Sequence, residues 1–137
     1  MPFVAKNEMI TNQFEISELA SKLTKGSLAL FPTDTLPALC AYPKFSKNIW
    51  TTKKRPLNKP LILMGGCLDD LFEFVKPCAF EDGLKLAKMY WPGALTMLLP
   101  TIGNFSKYLN SNSNAVGFRV PALRIARDLL MQTGPLA

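Results

Sequence analysis

Short apolar runs of strand length alternate along this chain with apolar stripes at helical spacing, and proline or glycine marks each change of period. Ile16, Leu19, Ala20 and Leu23 share one helical face, with Lys22 and Lys25 in the last turn and Gly26 as the stop. Leu28 to Phe31 reads as a buried strand ending at Pro32. Ser46 is placed to cap a short helix carrying Ile49 and Trp50, which Pro56 ends. Leu61 to Met64 is a second strand, closed by a Gly65-Gly66 turn. Leu68, Leu71, Phe72 and Val75 recur as on a helix, and Leu84, Ala87 and Tyr90 or Trp91 mark another that Pro92-Gly93 stops. Ala94 to Leu99 is a strand, Gly103 to Asn114 a polar loop, and Ala115 to Val120 a strand. A last helix runs from Pro121 to Gly134. This order specifies an α/β domain with a twisted, mixed sheet. At 137 residues it is a single domain over 1–137. Pro135-Leu136-Ala137 reads as the opening of a further strand, so the expectation is a chain truncated there or a sheet that something else completes.

Composition removes several classes of function. A hydrophobic content of 48% excludes a disordered chain. No apolar run approaches the roughly 18 residues of a membrane helix. Lys6 and Glu8 stand where a secretory signal would be apolar, so the reading is cytoplasmic, with no membrane. Cys40, Cys67 and Cys78 form no C-x-x-C pair and read as reduced, buried thiols. There is no histidine, which rules out Ser-His-Asp and Cys-His triads and the commonest metal ligand. Any catalysis must rest on positioning and fixed charge. The net charge of +6 suits a nucleotide, a nucleic acid or an acidic protein equally.

Three stretches carry chemistry-bearing side chains. Phe31-Pro32-Thr33-Asp34-Thr35 sets two hydroxyls together at a strand exit, with Asp34 opposite, either to hold a small polar substrate or simply to make a turn. In the first case Asp34 orients neighbours or helps hold a metal. Lys53, Lys54, Arg55 and Lys59 lie between prolines, either as a charged helix end or as a cradle for a polyanion. In the strand Ala115 to Val120, Val116, Phe118 and Val120 share the core face. Ala115, Gly117 and Arg119 share the other, a shallow face whose guanidinium serves a carboxylate, a phosphate or a surface ion pair. Trp91-Pro92-Gly93 is most simply a helix stop. No G-x-G-x-x-G or Walker sequence surrounds Gly65-Gly66.

In order, Phe31-Pro32-Thr33-Asp34-Thr35, Lys53-x-Arg55-Pro56-x-x-Lys59-Pro60-Leu61, Trp91-Pro92-Gly93-x-Leu95-Thr96 and Val116-x-x-Arg119-Val120-Pro121 resemble the motifs of the YrdC-like threonylcarbamoyl-AMP synthases, from about Lys25 to the end. The resemblance implies a YrdC-like twisted sheet flanked by helices, with a basic cavity. It implies that L-threonine, bicarbonate and ATP, with Mg2+, give threonylcarbamoyl-AMP and pyrophosphate for the threonylcarbamoyladenosine modification of tRNA. Carried over by motif, Thr33, Thr35, Met64 and Arg119 would bind L-threonine. Lys53, Arg55, Lys59 and Ala115 would meet ATP, with Lys53 and Arg55 the catalytic cations, and no protein metal site is implied. A threonylcarbamoyl transferase machinery would take the product. The sequence departs from the pattern at Leu36-Pro37-Ala38-Leu39, where an aromatic and a glycine are usual. Met64 and Ala115 replace polar residues of some relatives, and the family's Ser-Ala-Asn motif does not occur.

A second reading, from another class, is a module that binds tRNA or double-stranded RNA without turnover, motivated by the +6 charge and the cation cluster, and a third is an inactive truncated relative, motivated by the missing Ser-Ala-Asn motif. Along the chain Phe105 and Tyr108 are too few, and too poorly interleaved with basic residues, to form a stacking platform.

Overall fold

The computed structural model describes residues 3–5, 13–110 and 112–137, so the Lys6 to Glu8 segment lies outside the described residues. Two three-stranded mixed sheets organise the chain. In the first, β1 (Phe3–Ala5) runs parallel to β2 (Leu28–Phe31), and β3 (Ala38–Cys40) runs antiparallel to β2. In the second, a central β6 (Ala115–Arg119) is parallel to β4 (Ile62–Met64) and antiparallel to β5 (Met97–Pro100). The alternation of elements thus produces the mixed α/β architecture that the sequence implies.

Each sheet has its own core. Helix α1 (Gln13–Thr24) presents Ile16, Leu19 and Leu23, and helix α5 (Arg124–Thr133) presents Ala126, Leu129 and Leu130. Both stripes pack with Ala29, Phe31 and Cys40 of the first sheet. Helices α3 (Leu68–Phe72) and α4 (Phe80–Tyr90) cover the second sheet, where Leu71, Phe72 and Ala87 meet Val116, Phe118 and Val120. Helix α2 (Lys47–Lys53) buries Ile49 and Trp50.

The C-terminal residues tie the sheets together. Leu136 exchanges two backbone hydrogen bonds with Met64, at 2.8 and 2.9 Å, and Ala137 pairs in the same way with Ala41 at 2.9 and 3.3 Å. Pro135 to Ala137 does not form the strand its sequence suggests, but through an isolated bridge at Leu136 and the Ala137 pairing it links the ends of β3 and β4.

Several boundaries depart from the periodicity. The Leu68 helix ends at Phe72 rather than Val75. Phe74 instead stacks on Phe105 at 4.3 Å, and Val75 forms a bridge with Thr101. The Ala94 strand begins only at Met97, because the Trp91 indole N–H donates to the Leu95 carbonyl at 2.8 Å and holds that segment in a turn. The cysteines are not uniformly buried: Cys40 is buried, Cys67 partly so and Cys78 exposed. Burial pushes the Cys40 thiol well up, so it is protonated at neutral pH and a poor nucleophile. No helix among the described residues is long and apolar enough to cross a membrane.

Candidate active site

The strand β2 ends at Phe31, and the chain returns at Ala38 as β3, its register partner. Six residues must close that hairpin, and Thr33 closes it. Its buried hydroxyl donates to the Leu36 carbonyl at 2.6 Å and accepts the Thr35 N–H at 3.2 Å. The two threonine hydroxyl oxygens lie 3.3 Å apart, so they point together, as alternation suggests. Asp34 does not point away from them, because the segment is a bend and the strand rule does not apply to it.

Arg119 is the residue on which these groups converge. It is 6% exposed, at the end of the central strand β6, and a buried guanidinium is tolerated only with partners. Its Nε donates to the Gly93 carbonyl at 3.0 Å, one terminal nitrogen to Thr35 Oγ1 at 2.9 Å and the other to Asp34 Oδ1 at 2.5 Å. Asp34 Oδ1 also accepts the Ala122 N–H at 3.0 Å. A guanidinium has five N–H donors. Three are engaged among the described residues, and the two that remain belong to the terminal nitrogens, the pair suited to grip a carboxylate in a fork.

These contacts cross the seam between the sheets, and a cavity of about 270 Å³ opens there. Thr35, Lys53, Arg55, Met64 and Arg119 line it, with Phe31 and Cys40 from the first sheet and Ile62 from the second. Leu36, Pro37, Ala38 and Leu39, the stretch that departs from the family pattern, line it as well. The cavity thus mixes polar and apolar surface and carries three cationic side chains. Its volume lies just below the roughly 300–1,000 Å³ of ordinary ligand sites, a size for a small substrate rather than a whole nucleotide.

Thr33, Lys59 and Ala115 are not among the lining residues. Thr33 spends its hydroxyl on the turn. Lys59 is exposed on the α2–β4 loop, and Ala115 lies at the opposite end of β6 from Arg119. What Lys59 contributes is its carbonyl, which accepts the Trp50 indole N–H at 2.9 Å and Arg55 Nε at 3.4 Å. Arg55 also donates to the Pro60 carbonyl at 2.9 Å, so the loop positions that cation over the cavity. Asp34 Oδ1 accepts from both Arg119 and Ala122, and the described residues contain no cluster of three His, Cys, Asp or Glu side chains able to hold a metal.

Sequence reasoning missed Gly93. It is more than a helix stop: its N–H donates to the Val120 carbonyl at 2.8 Å while its carbonyl holds Arg119. A Cβ there would sit 2.3 Å from the Tyr90 carbonyl oxygen. Gly93→Ala is therefore expected to cost about 1–3 kcal/mol by overpacking, read by denaturant unfolding, and to loosen Arg119. Unchanged stability would show that the loop yields without strain.

The family model described as telomere recombination, which groups Sua5, YciO and YrdC, matches residues 21–137. The chain belongs to the Sua5/YciO/YrdC family. This Sua5/YciO/YrdC domain is 32% identical over 136 residues to a threonylcarbamoyl-AMP synthase of Bacillus subtilis, covering 96% of this chain and 39% of that one. It superposes on a doubly substituted Sua5 of Pyrococcus abyssi with a TM-score of 0.87 at 30% identity, covering 100% of this chain and 41% of that one. With Pyrococcus abyssi Sua5 complexed with L-threonine, the TM-score is 0.85 at 29% identity, covering 99% and 40%. The chain therefore spans about two fifths of the length of these relatives.

Proposed function

We propose that this chain is the substrate-binding domain of a threonylcarbamoyl-AMP synthase, converting L-threonine, bicarbonate and ATP to threonylcarbamoyl-AMP, pyrophosphate and water. The observation that carries this reading is one buried guanidinium, Arg119, with two donors unengaged among the described residues, in a cavity it shares with Lys53 and Arg55. Both the synthase name of the Bacillus subtilis relative and the threonine complex of Sua5 support it.

In this reading Arg119 takes the L-threonine carboxylate, beside Thr35 and Met64. The threonine amine forms an N–C bond with bicarbonate, water leaves, and the resulting carbamate oxygen attacks the α-phosphorus of ATP. The P–O bond to pyrophosphate breaks in the same step. Charge builds on the phosphoryl oxygens, and Lys53 and Arg55 stabilise it without any proton transfer that would need a histidine. ATP extends from the cavity along the exposed Lys53 to Lys59 loop. Magnesium arrives with the triphosphate as part of the substrate, since no carboxylate side chain is among the residues that line the cavity. The product is a reactive mixed anhydride, which a threonylcarbamoyl transferase machinery passes to tRNA in the cytoplasm.

The test is calorimetric titration of L-threonine, then magnesium ATP, into the chain. Heats from both, with L-threonine clearly preferred over L-valine, are expected. Nucleotide binding with no response to L-threonine would remove this reading.

A further inference from the structure

A second cavity, of about 410 Å³, also adjoins α2 but shares no lining residue with the first. Its lining is Lys44, Ser46, Lys47, Trp50, Leu57, Lys107 and Tyr108. The lysines come from three separate places: the turn before α2, the first residue of α2 and the turn at Phe105–Tyr108. All three are exposed, and none has an acidic partner among the described residues. Leu57 and Tyr108 are 76% and 48% exposed, large apolar surfaces left open to water between those charges. Ser46 Oγ donates to the Tyr108 carbonyl at 2.6 Å and locks the two turns together. Separated along the chain, Tyr108 and the lysines make no platform. The fold interleaves them through space.

We infer that this cavity binds a single-stranded polynucleotide, one base lying against Tyr108, Leu57 and Trp50 with the flanking phosphates on Lys44, Lys47 and Lys107. A half-exposed tyrosine, whose ring meets Phe105 at 6.4 Å but stays open to the cavity, ringed by cations matches a polymer that alternates planar apolar groups with negative charges. An acidic peptide matches the charges alone. The inference stands independently of the synthase reading, because none of these side chains lines the first cavity. The two cavities are nevertheless neighbours: Trp50 lines the second, and its indole holds the Lys59 carbonyl that Arg55 of the first also meets. A strand bound here would lie one side chain away from the loop that positions Arg55.

The experiment is fluorescence anisotropy of a labelled oligoadenylate of about 12 nucleotides, within the usual footprint of such sites, titrated with the full chain. Saturable binding is expected, with log K falling against log salt at a slope of about −2, as three phosphate contacts on a single strand give. Tyr108→Ala should weaken it about tenfold, as loss of one stacked base does. Lys44→Glu with Lys107→Glu should weaken it further and flatten the salt slope. All three positions are exposed, so the fold is retained, and Lys76→Glu, the same kind of charge change outside the cavity, should have little effect. AMP should compete only weakly. No binding would overturn the inference, as would affinity indifferent to Tyr108→Ala, or displacement by polyglutamate as readily as by unlabelled oligoadenylate. Equal competition by AMP would reduce the site to one for mononucleotides and overturn the polymer.

Discussion

Arg119→Ala is expected to abolish L-threonine binding and to cost about 3–5 kcal/mol of stability. The cost arises because the substitution strands three groups at once. Asp34, with a side chain only 20% exposed, loses its counter-charge, while Thr35 and the Gly93 carbonyl each lose a donor. An unpaired charge in a largely dry place is far worse than no charge at all. Asp34 keeps the Ala122 N–H and some solvent, which places the effect toward the lower end of that range. Arg119→Lys keeps the charge but not the fork, so one ammonium must replace contacts in three directions. It should recover part of the stability and little of the binding. Denaturant unfolding and calorimetry on the same preparations separate these effects. An Arg119→Ala chain that unfolds like the parent and still binds L-threonine would show that the guanidinium is neither a structural link nor the carboxylate partner.

The structural link through Arg119 explains why the site was only partly legible in the sequence. Alternation along Ala115 to Val120 assigned Val116, Phe118 and Val120 to the core, and they are buried there. The same rule placed Arg119 on the opposite face but gave no hint of what that face meets. The answer lies in Asp34 and Gly93, 85 and 26 residues away along the chain, and in the way the two sheets abut. Local patterns report which way a side chain leaves its own backbone. They do not report what another element brings to it. The same limit applies to β3. Three residues after Pro37 are too few to carry a periodicity, so Ala38–Cys40 gave no strand signal, whereas its pairing with β2 makes it strand and cavity wall together. The α3 stripe failed in the opposite way. Val75 satisfies the helical period, yet its backbone pairs with Thr101 because the Phe74–Phe105 stack fixes the chain there.

The cation cluster shows most clearly what three dimensions add. In the sequence Lys53, Arg55 and Lys59 are equivalent members of one charged run. In the fold they are not, and their substitutions should differ accordingly. Arg55 lines the cavity and is held by the Pro60 and Lys59 carbonyls, so its charge is preorganised there. Arg55→Ala is expected to lower the rate of pyrophosphate release about 10²–10³-fold, the loss typical of one preorganised electrostatic donor, or about 2.7–4 kcal/mol of barrier. Lys53 lines the cavity too, but no hydrogen bond to protein orients it among the described residues, and Lys53→Ala should cost less. Lys59→Ala should cost least, because the group that matters there is the carbonyl, which alanine retains. Stability should barely change in any of the three, since each is at least partly solvated. Rates measured with L-threonine, bicarbonate and magnesium ATP saturating would rank them. A Lys59→Ala loss equal to that of Arg55→Ala would mean that the loop closes on the triphosphate as a unit, and that the exposed lysine swings in to join the other two.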